Sequence, residues 1–295
     1  MLTASLITRN INDTNQIGIV GTMNSNTIAL QLYDTSSGSA VPQGAWFGTS
    51  TDTPQVALIT GRYAYIGMTA SNPSNPRAPF GRLIMLDISN PSLPVQVGNT
   101  IPLAGPPNAI TAIANSEFRL IVAGDVMGKN MVALGYITAL KTNGQSFSIN
   151  RTYVTFSPIA DAVIRTTSVA MNRTHTIYAA ISGVILTYSI NEFTLDVQYM
   201  YAIKQPFLQY KHLQLSQAGS YLYAIGIEPL MELNALVAYD VRRIPQFRGY
   251  FGQFANNPQQ LLVGASQLFM VNESQIFATP SISALSGIQS AFGPR

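Results

Sequence analysis

The sequence contains no cysteine, few charged residues and a single tryptophan among its 295 residues. Without cysteine, disulfide bonds, thiolate metal sites and cysteine nucleophiles are all excluded. Charged residues make up 10% of the chain, whereas an average globular protein has about 25%. Neutral hydroxyl and amide side chains must therefore cover much of the surface. Such a surface changes little with pH because few of its groups titrate, which favours an extracellular or acidic setting.

The basic residues are too scattered for a nucleic-acid-binding surface. Sixteen basic and thirteen acidic residues give a net charge of +3, and the densest basic cluster is Arg242 and Arg243 with Arg248. Nucleic-acid binding needs a basic stripe with interleaved aromatic residues, because neutralised phosphates supply its affinity. We therefore expect no nucleic-acid partner.

Long apolar segments are also missing. The first ten residues lack the basic and apolar regions of a signal peptide. No uninterrupted apolar run approaches the roughly 18 residues of a membrane span, so we expect no membrane insertion.

What the sequence does contain is a repeated β-hairpin pattern. The successive copies are SLITRNINDTNQIGIVG, VALITGRYAYIG, ITAIANSEFRLIVAG, TSVAMNRTHTIYAA, HLQLSQAGSYLYAIG and QLFMVNESQIFAT. Apolar and polar residues alternate on either side of Gly, Asn or Ser, as expected of two strands joined by a turn. The equivalent positions in the second strands are Ile19, Tyr65, Val122, Tyr178, Tyr223 and Phe277.

These positions lie about 52 residues apart, a period typical of propeller blades. The pattern predicts an all-β chain, a single six-bladed β-propeller of four-stranded antiparallel blades over residues 1–295. The blades are expected to start near residues 4, 55, 109, 166, 211 and 266. We expect the N-terminal strand near Leu6 to complete the last blade.

A short polar side chain follows four predicted third strands. These residues are Asp34, Asp87, Ser189 and Asp240. An acceptor at this position can bond the backbone of the next turn. We expect a structural role that repeats around the ring.

The stretch LDISNPSLPV at residues 86–95 resembles the LVIVP-type propeller repeat of bacterial and archaeal surface proteins. The resemblance is clear in this blade and partial around Asp240 and Pro245. It implies a propeller fold and an extracellular location, and it brings no catalytic residues.

Several loop residues are predicted to share one face of the ring, where propellers place the connections between second and third strands and between blades. They are Asp52, Asn72, Asn75, Arg77, Phe80, Asp125, Lys129, Asp161, Arg165 and Glu228. Acids at a channel mouth could serve a hydrolase or bind a cation. Alternatively, loops simply hold the few charges of the chain.

Common catalytic motifs are missing. The sequence has no S-x-D-x-G-x-x-W, G-x-S-x-G or H-E-x-x-H motif and no glycine-rich phosphate loop. Its two histidines, His175 and His212, are too few for a three-ligand zinc site without carboxylate help. We assign no catalytic residue, metal or cofactor from sequence alone.

Four Asn-x-Ser/Thr sequons are candidate glycosylation sites: Asn12, Asn150, Asn172 and Asn272. The hairpin pattern places Asn12, Asn172 and Asn272 in turns on one face. Asparagine also suits turns without any glycan, because it tolerates left-handed backbone angles.

Three functions agree with these observations. The first is a non-catalytic extracellular structural or recognition protein, in particular a virion surface, capsid-associated, spike or tail component. Its partners would be proteins of an assembly, or a receptor or glycan on a host surface. The second is a secreted or cell-surface adhesion propeller whose leader was removed. The third is a propeller hydrolase or lyase with an acidic site at the channel mouth.

Overall fold

The computed structural model describes residues 3–23, 26–71, 79–127, 132–165, 174–181, 183–204, 208–216, 218–228, 233–254, 260–263, 267–271 and 276–280. Within these ranges the fold is all-β apart from one 3-10 turn, Ile113–Asn115. Each sheet is antiparallel and follows chain order.

The strands have the following bounds. The first sheet consists of β1 (Thr3–Arg9), β2 (Gln16–Thr22), β3 (Thr27–Asp34) and β4 (Val41–Thr49). The second consists of β5 (Thr53–Thr60), β6 (Tyr63–Ala70), β7 (Phe80–Asp87) and β8 (Val95–Leu103). The third consists of β9 (Pro107–Ala112), β10 (Arg119–Met127), β11 (Ala133–Thr142) and β12 (Phe147–Val154). The fourth consists of β13 (Ile159–Arg165), β14 (Thr174–Ile181), β15 (Val184–Asn191) and β16 (Val197–Lys204). The fifth consists of β17 (Gln209–Leu215), β18 (Tyr221–Glu228), β19 (Leu233–Asp240) and β20 (Gln246–Phe254). The sixth consists of β21 (Gln260–Val263), β22 (Gln267–Val271) and β23 (Ile276–Pro280).

The sheets are arranged radially around their first strands. β1 contacts β5, β5 contacts β9, β9 contacts β13, β13 contacts β17 and β17 contacts β21. The first strands are therefore innermost, and the fourth strands are outermost. This is the arrangement of blades in a β-propeller.

Layers of buried apolar side chains lie between successive sheets. Leu30 and Ile66 belong to the layer between the first and second sheets, and Tyr223 and Leu268 belong to the layer between the fifth and sixth. Because a blade is covered on both faces, its middle strands are continuously apolar instead of alternating; all but one residue of β6 are buried. Burying each large apolar side chain contributes about 1.5–3 kcal/mol.

The predicted repeat is confirmed for five blades, which are four-stranded sheets in the structure. The sixth sheet has three strands within the described residues. Five of the six equivalent positions lie on second strands, as expected, but Phe277 lies on the third strand, β23. The pattern QLFMVNESQIFAT therefore spans the second and third strands of its sheet.

Some predicted strand positions are wrong. The fourth sheet begins at Ile159 instead of near residue 166, and the sixth begins at Gln260 instead of near 266. The N-terminal strand β1 pairs with β2 in the first sheet; the prediction that it completes the last blade is not what the structure shows. The starts of the inner strands were predicted from alternating apolar and polar residues. A register irregularity, as in β13, interrupts this alternation.

Candidate functional site

The two faces of the ring carry different connections. We call the face with the links between successive sheets, such as residues 50–52, 104–106 and 155–158, the connection face. The other face carries the turns between third and fourth strands, such as residues 35–40, 143–146 and 241–245, and we call it the hairpin face. Asp52, Asp125 and Asp161 lie toward the connection face, at a link or at the strand ends that adjoin it.

Asp125 joins the third sheet to the fourth. Its Oδ1 accepts a hydrogen bond from the amide of Ile159 at 3.0 Å, and its Oδ2 accepts one from Nδ2 of Asn108 at 3.0 Å. The same Asn108 nitrogen donates to the carbonyl of Ile159 at 2.8 Å. Burial raises the pKa of the Asp125 carboxyl group, although the bonds from Asn108 and Ile159 oppose this effect.

Asp161 lies on β13, two residues after Ile159, and faces the fifth sheet. Its Oδ2 accepts a hydrogen bond from the amide of Leu213 on β17 at 2.7 Å, and its Oδ1 accepts one from the Ala162 amide at 2.7 Å. Burial raises the pKa of this carboxyl group to about 7, against the lowering effect of the two backbone bonds. A carboxyl group that titrates near neutral pH can both take up and release a proton there.

Asp161 lies on β13, and Asp125 is hydrogen-bonded to the Ile159 amide of the same strand. A strand rises about 3.3 Å per residue, so the Ile159 amide that holds Asp125 is about 7 Å from Asp161 along the strand. The two carboxylates lie on opposite sides of the fourth sheet, since one comes from the third sheet and the other reaches to the fifth. Both sides meet at the inner edge, which β13 forms.

The other acidic candidates are placed apart from this pair. Asp52 is buried and accepts a bond from Nη1 of Arg82 at 3.1 Å, which ties a link between sheets to β7. Glu228 ends β18, four residues beyond Ala224, the partner of Leu213. That places it about 13 Å from the level of Asp161.

Arg165 does not lie on the predicted face. It ends β13, four residues or about 13 Å from Asp161, and so is at the end near the hairpin face. The error arose because the start of β13 was predicted too late. Phe80 begins β7 and is exposed, while Asn72, Asn75, Arg77 and Lys129 lie outside the described residues.

The repeated acceptors bond turns in three of the four predicted positions. Oδ1 of Asp34, Asp87 and Asp240 accepts the amide two residues ahead at 2.8, 2.8 and 3.1 Å. Ser189 instead donates to the carbonyl of Gln198. The acceptor in its sheet is Asn191, two residues later, which bonds the Phe193 and Thr194 amides.

The third sheet uses Asn143 in the same way, since its Oδ1 accepts the Gln145 and Ser146 amides at 2.9 and 2.8 Å. Sequence reasoning missed both asparagines. An Asn at the end of a third strand, followed by a polar turn, was the available signal.

Two of the four sequons lie in the described part of the structure. Asn12 lies between β1 and β2, and its amide nitrogen approaches the carbonyl of Asn115 at 3.2 Å. Asn150 lies within the outer strand β12. Asn172 and Asn272 fall outside the described residues.

Neither histidine belongs to a metal site in the part of the chain that the structure describes, where no group of three or more His, Asp and Glu residues could hold a metal ion. His175 is buried, and its Nε2 lies 3.4 Å from Oε2 of Glu192. Nη1 of Arg119 donates to Oε1 of the same glutamate at 2.6 Å. This cluster therefore joins the third sheet to the fourth. Among the same residues, no helix has the length and apolar character needed to cross a membrane.

Comparison with solved structures shows the β-propeller fold. A periplasmic gluconolactonase from Pseudomonas aeruginosa, PpgL, is 14% identical with a TM-score of 0.62; the match covers 94% of this chain and 80% of that one. A candidate 6-phosphogluconolactonase from Bacteroides uniformis is 12% identical with a TM-score of 0.57, covering 94% and 86%. The Dos1 propeller is 13% identical with a TM-score of 0.58, covering 90% and 64%.

No protein-family model and no curated protein matches the sequence. The solved structures confirm the propeller fold that the LVIVP resemblance implies. Membership of the LVIVP family stays a prediction. At these identities the solved structures define the class of fold alone.

The first functional hypothesis, a non-catalytic virion component, is wrong. Of the solved propellers that resemble the chain over nearly its whole length, one is named as a gluconolactonase and one as a candidate 6-phosphogluconolactonase. The virion hypothesis depended on low charge content, the lack of cysteine, the possible sequons and an initiator methionine that no recognisable export signal follows. These features describe the surface and its setting, and none of them reports on chemistry at the channel mouth.

Proposed function

We propose that the chain is a propeller hydrolase whose acidic site lies at the inner edge of β13 on the connection face. The observation that carries the proposal is the Asp161 carboxyl group, which is half-buried and has a pKa raised to about 7 by burial. General acids and bases work best when their pKa lies near the operating pH. Strongly shifted carboxyl groups in a cleft are common at active sites.

Asp161 retains capacity for a reacting water. A carboxylate offers about four lone-pair sites, and the amides of Leu213 and Ala162 occupy two of them. Above its pKa, Asp161 would take a proton from a water molecule as that water attacks a carbonyl carbon. The proton would then be returned to the leaving oxygen, so that one ester bond breaks and one carboxylic acid and one hydroxyl group form.

Asp125 would act as a positioning residue in this scheme. Through Oδ1 it holds the Ile159 amide, and with Asn108 it fixes the start of β13. Displacement of this strand would displace Asp161. A misplacement of about 1 Å can cost about 100-fold in rate.

Aldonolactones are the first substrate class to test, because one of the similar propellers is named as a gluconolactonase and another as a candidate 6-phosphogluconolactonase. We further propose a ring of six blades, supported by the sixth sheet against β17. An extracellular location is retained within the proposal and is supported by the low charge content.

The test is hydrolysis of glucono-δ-lactone in a pH-stat, with the spontaneous rate subtracted. The wild-type chain should accelerate hydrolysis, and kcat/KM should rise as pH passes through about 7. Asp161→Asn removes the base and keeps one acceptor oxygen beside the two amides, so the rate should fall at least about 100-fold. Asp34→Asn, at an exposed turn, is the matched control and should leave the rate unchanged.

Two results would count against the proposal. If wild type does not accelerate hydrolysis of this lactone or its 6-phosphate, the chain is no lactonase of this class. If Asp161→Asn hydrolyses as fast as wild type, Asp161 only joins β13 to β17.

A further inference from the structure

A cavity on the hairpin face has a lining unlike that of the acidic connection face. It has a volume of about 420 Å³, within the size range of small-molecule pockets. It is lined by Asp240, Arg242, Arg243, Ile244, Gln246 and Arg248. Three arginines against one aspartate give this lining a net positive charge.

Asp240 organises two of the arginines. Its carboxylate is 8% exposed and receives bonds from Nε and Nη2 of Arg242, at 3.0 and 2.5 Å, and from Nη2 of Arg248 at 2.8 Å. These bonds hold the pKa of Asp240 well below its usual range, chiefly through Arg242. The carboxylate therefore remains charged and the guanidinium groups stay in place across the ordinary pH range.

Both guanidinium groups keep donors for a ligand. An arginine has five N–H donors in a fixed planar arrangement, of which Asp240 uses two on Arg242 and one on Arg248. The side chains are 57% and 44% exposed. Arg242 also lies over the ring of Tyr221, 5.7 Å from its centre, which further limits its movement.

Arg243 supplies a positive charge that Asp240 does not balance. Arg243 is exposed beside the cavity, and the ion pairs of Asp240 involve Arg242 and Arg248. The neighbouring Ile244 is 82% exposed and gives the same lining an apolar side. Held guanidinium groups next to an apolar side chain suit an anion carried on a small organic body.

We propose that this cavity binds the phosphate group of a small phosphate ester. A phosphate monoester carries a charge of about −1.5 to −2 at pH 7 and three acceptor oxygens, which matches the excess charge and the planar donors of the lining. The site is on the hairpin face, away from Asp161, and does not depend on the proposed hydrolysis.

Phenyl phosphate is a suitable probe, measured by isothermal titration calorimetry at low salt. Saturable binding is expected at pH 7.5 and should weaken at pH 5, because the second phosphate pKa is about 6. Phenyl sulfate, which cannot take a second charge, should bind more weakly and without this pH dependence. Absence of saturable binding at millimolar phenyl phosphate would overturn the proposal.

Variants locate the binding. Arg243→Gln leaves the Asp240 ion pairs in place and should weaken phenyl phosphate binding about tenfold, since a lost charged hydrogen bond costs about 1.5 kcal/mol or more. Arg243→Lys should restore part of the affinity. Arg62→Gln is the control, because Arg62 is also half-exposed, at 53%, and is paired with one carboxylate. Equal losses in Arg243→Gln and Arg62→Gln would mean that binding is a general charge effect, against the proposal.

A second arm separates a free phosphate ester from a lipid headgroup. The chain is sedimented with phosphatidylcholine vesicles that contain phosphatidic acid. We expect no sedimentation above that with pure phosphatidylcholine. Sedimentation that Arg243→Gln abolishes, without binding of phenyl phosphate, would replace the small ester by a membrane surface and overturn the proposal as stated.

Discussion

Oδ2 of Asp161 accepts a hydrogen bond from the amide of Leu213 at 2.7 Å, so the carboxyl group proposed for proton transfer also joins two inner strands. In this ring, layers of buried apolar side chains lie between the blades. A carboxylate in such a position is partly desolvated, which is why its pKa rises. The position of Asp161 between two blades is therefore the cause both of its bond to Leu213 and of its raised pKa.

The pH dependence of stability should show this shift. Because the folded-state pKa of Asp161, about 7, lies above the ordinary aspartate pKa of 3.8, the folded chain binds more protons than the unfolded chain between these values. The free energy of unfolding should therefore fall as pH rises from about 4 to 7, by roughly 1–4 kcal/mol for this group.

Asp161→Asn isolates the effect. Urea denaturation of wild type and variant at a series of pH values gives the difference between their free energies of unfolding. Contributions from other carboxyl groups cancel in this difference. Parallel curves for the two proteins between pH 4 and 7 would contradict the shift.

Removing the Asp125 acceptor should loosen the joint between the third and fourth sheets. Asp125→Ala leaves the Ile159 amide without its partner and removes one acceptor of Asn108. We expect a loss of about 1–3 kcal/mol in the free energy of unfolding. Asp125→Asn keeps an acceptor oxygen and should lose less. Equal stabilities for wild type and Asp125→Ala in denaturant titrations would show that the joint contributes nothing.

The buried Glu192 should matter more than a surface ion pair. Glu192→Ala leaves Arg119 and buried His175 without the carboxylate, and losing one member of a buried ion pair costs about 3–5 kcal/mol. The surface pair Arg151 and Asp196, 2.6 Å apart, is the comparison; Asp196→Ala should cost about 0–1 kcal/mol. Thermal denaturation measures both, and a smaller loss for Glu192→Ala than for Asp196→Ala would refute the assignment.

The turn acceptor of the fourth sheet is tested by a neighbouring pair of variants. Asn191→Ala removes the bonds to the Phe193 and Thr194 amides and should lower the free energy of unfolding by about 1 kcal/mol. Ser189→Ala should change it by less than about 0.5 kcal/mol, as expected for a side chain outside such a network. The reverse order in denaturant titrations would restore Ser189 as the acceptor.

The repeat could be predicted because each blade carries the same local pattern. Tyr65, Tyr178 and Tyr223 recur in the middle of second strands and are fully buried, so apolar periodicity indicated both the strands and their spacing. Blade limits were less accurate where inner strands are short and irregular, as around Asp161. There, alternation over a few residues does not distinguish the first strand of a sheet from the link before it.

The amino-acid sequence by itself determined the all-β repeat, the apolar middle strands and the turn acceptors Asp34, Asp87 and Asp240, because these depend on residues close together in the chain. Only the tertiary structure decided which polar groups meet. Asp161 and Leu213 are 52 residues apart along the chain, and the pKa of the carboxyl group depends on how fully other blades remove water from it. The arginines around Asp240 were visible as a cluster, but their arrangement about one buried carboxylate required the turn and the strand pairing of the fifth sheet.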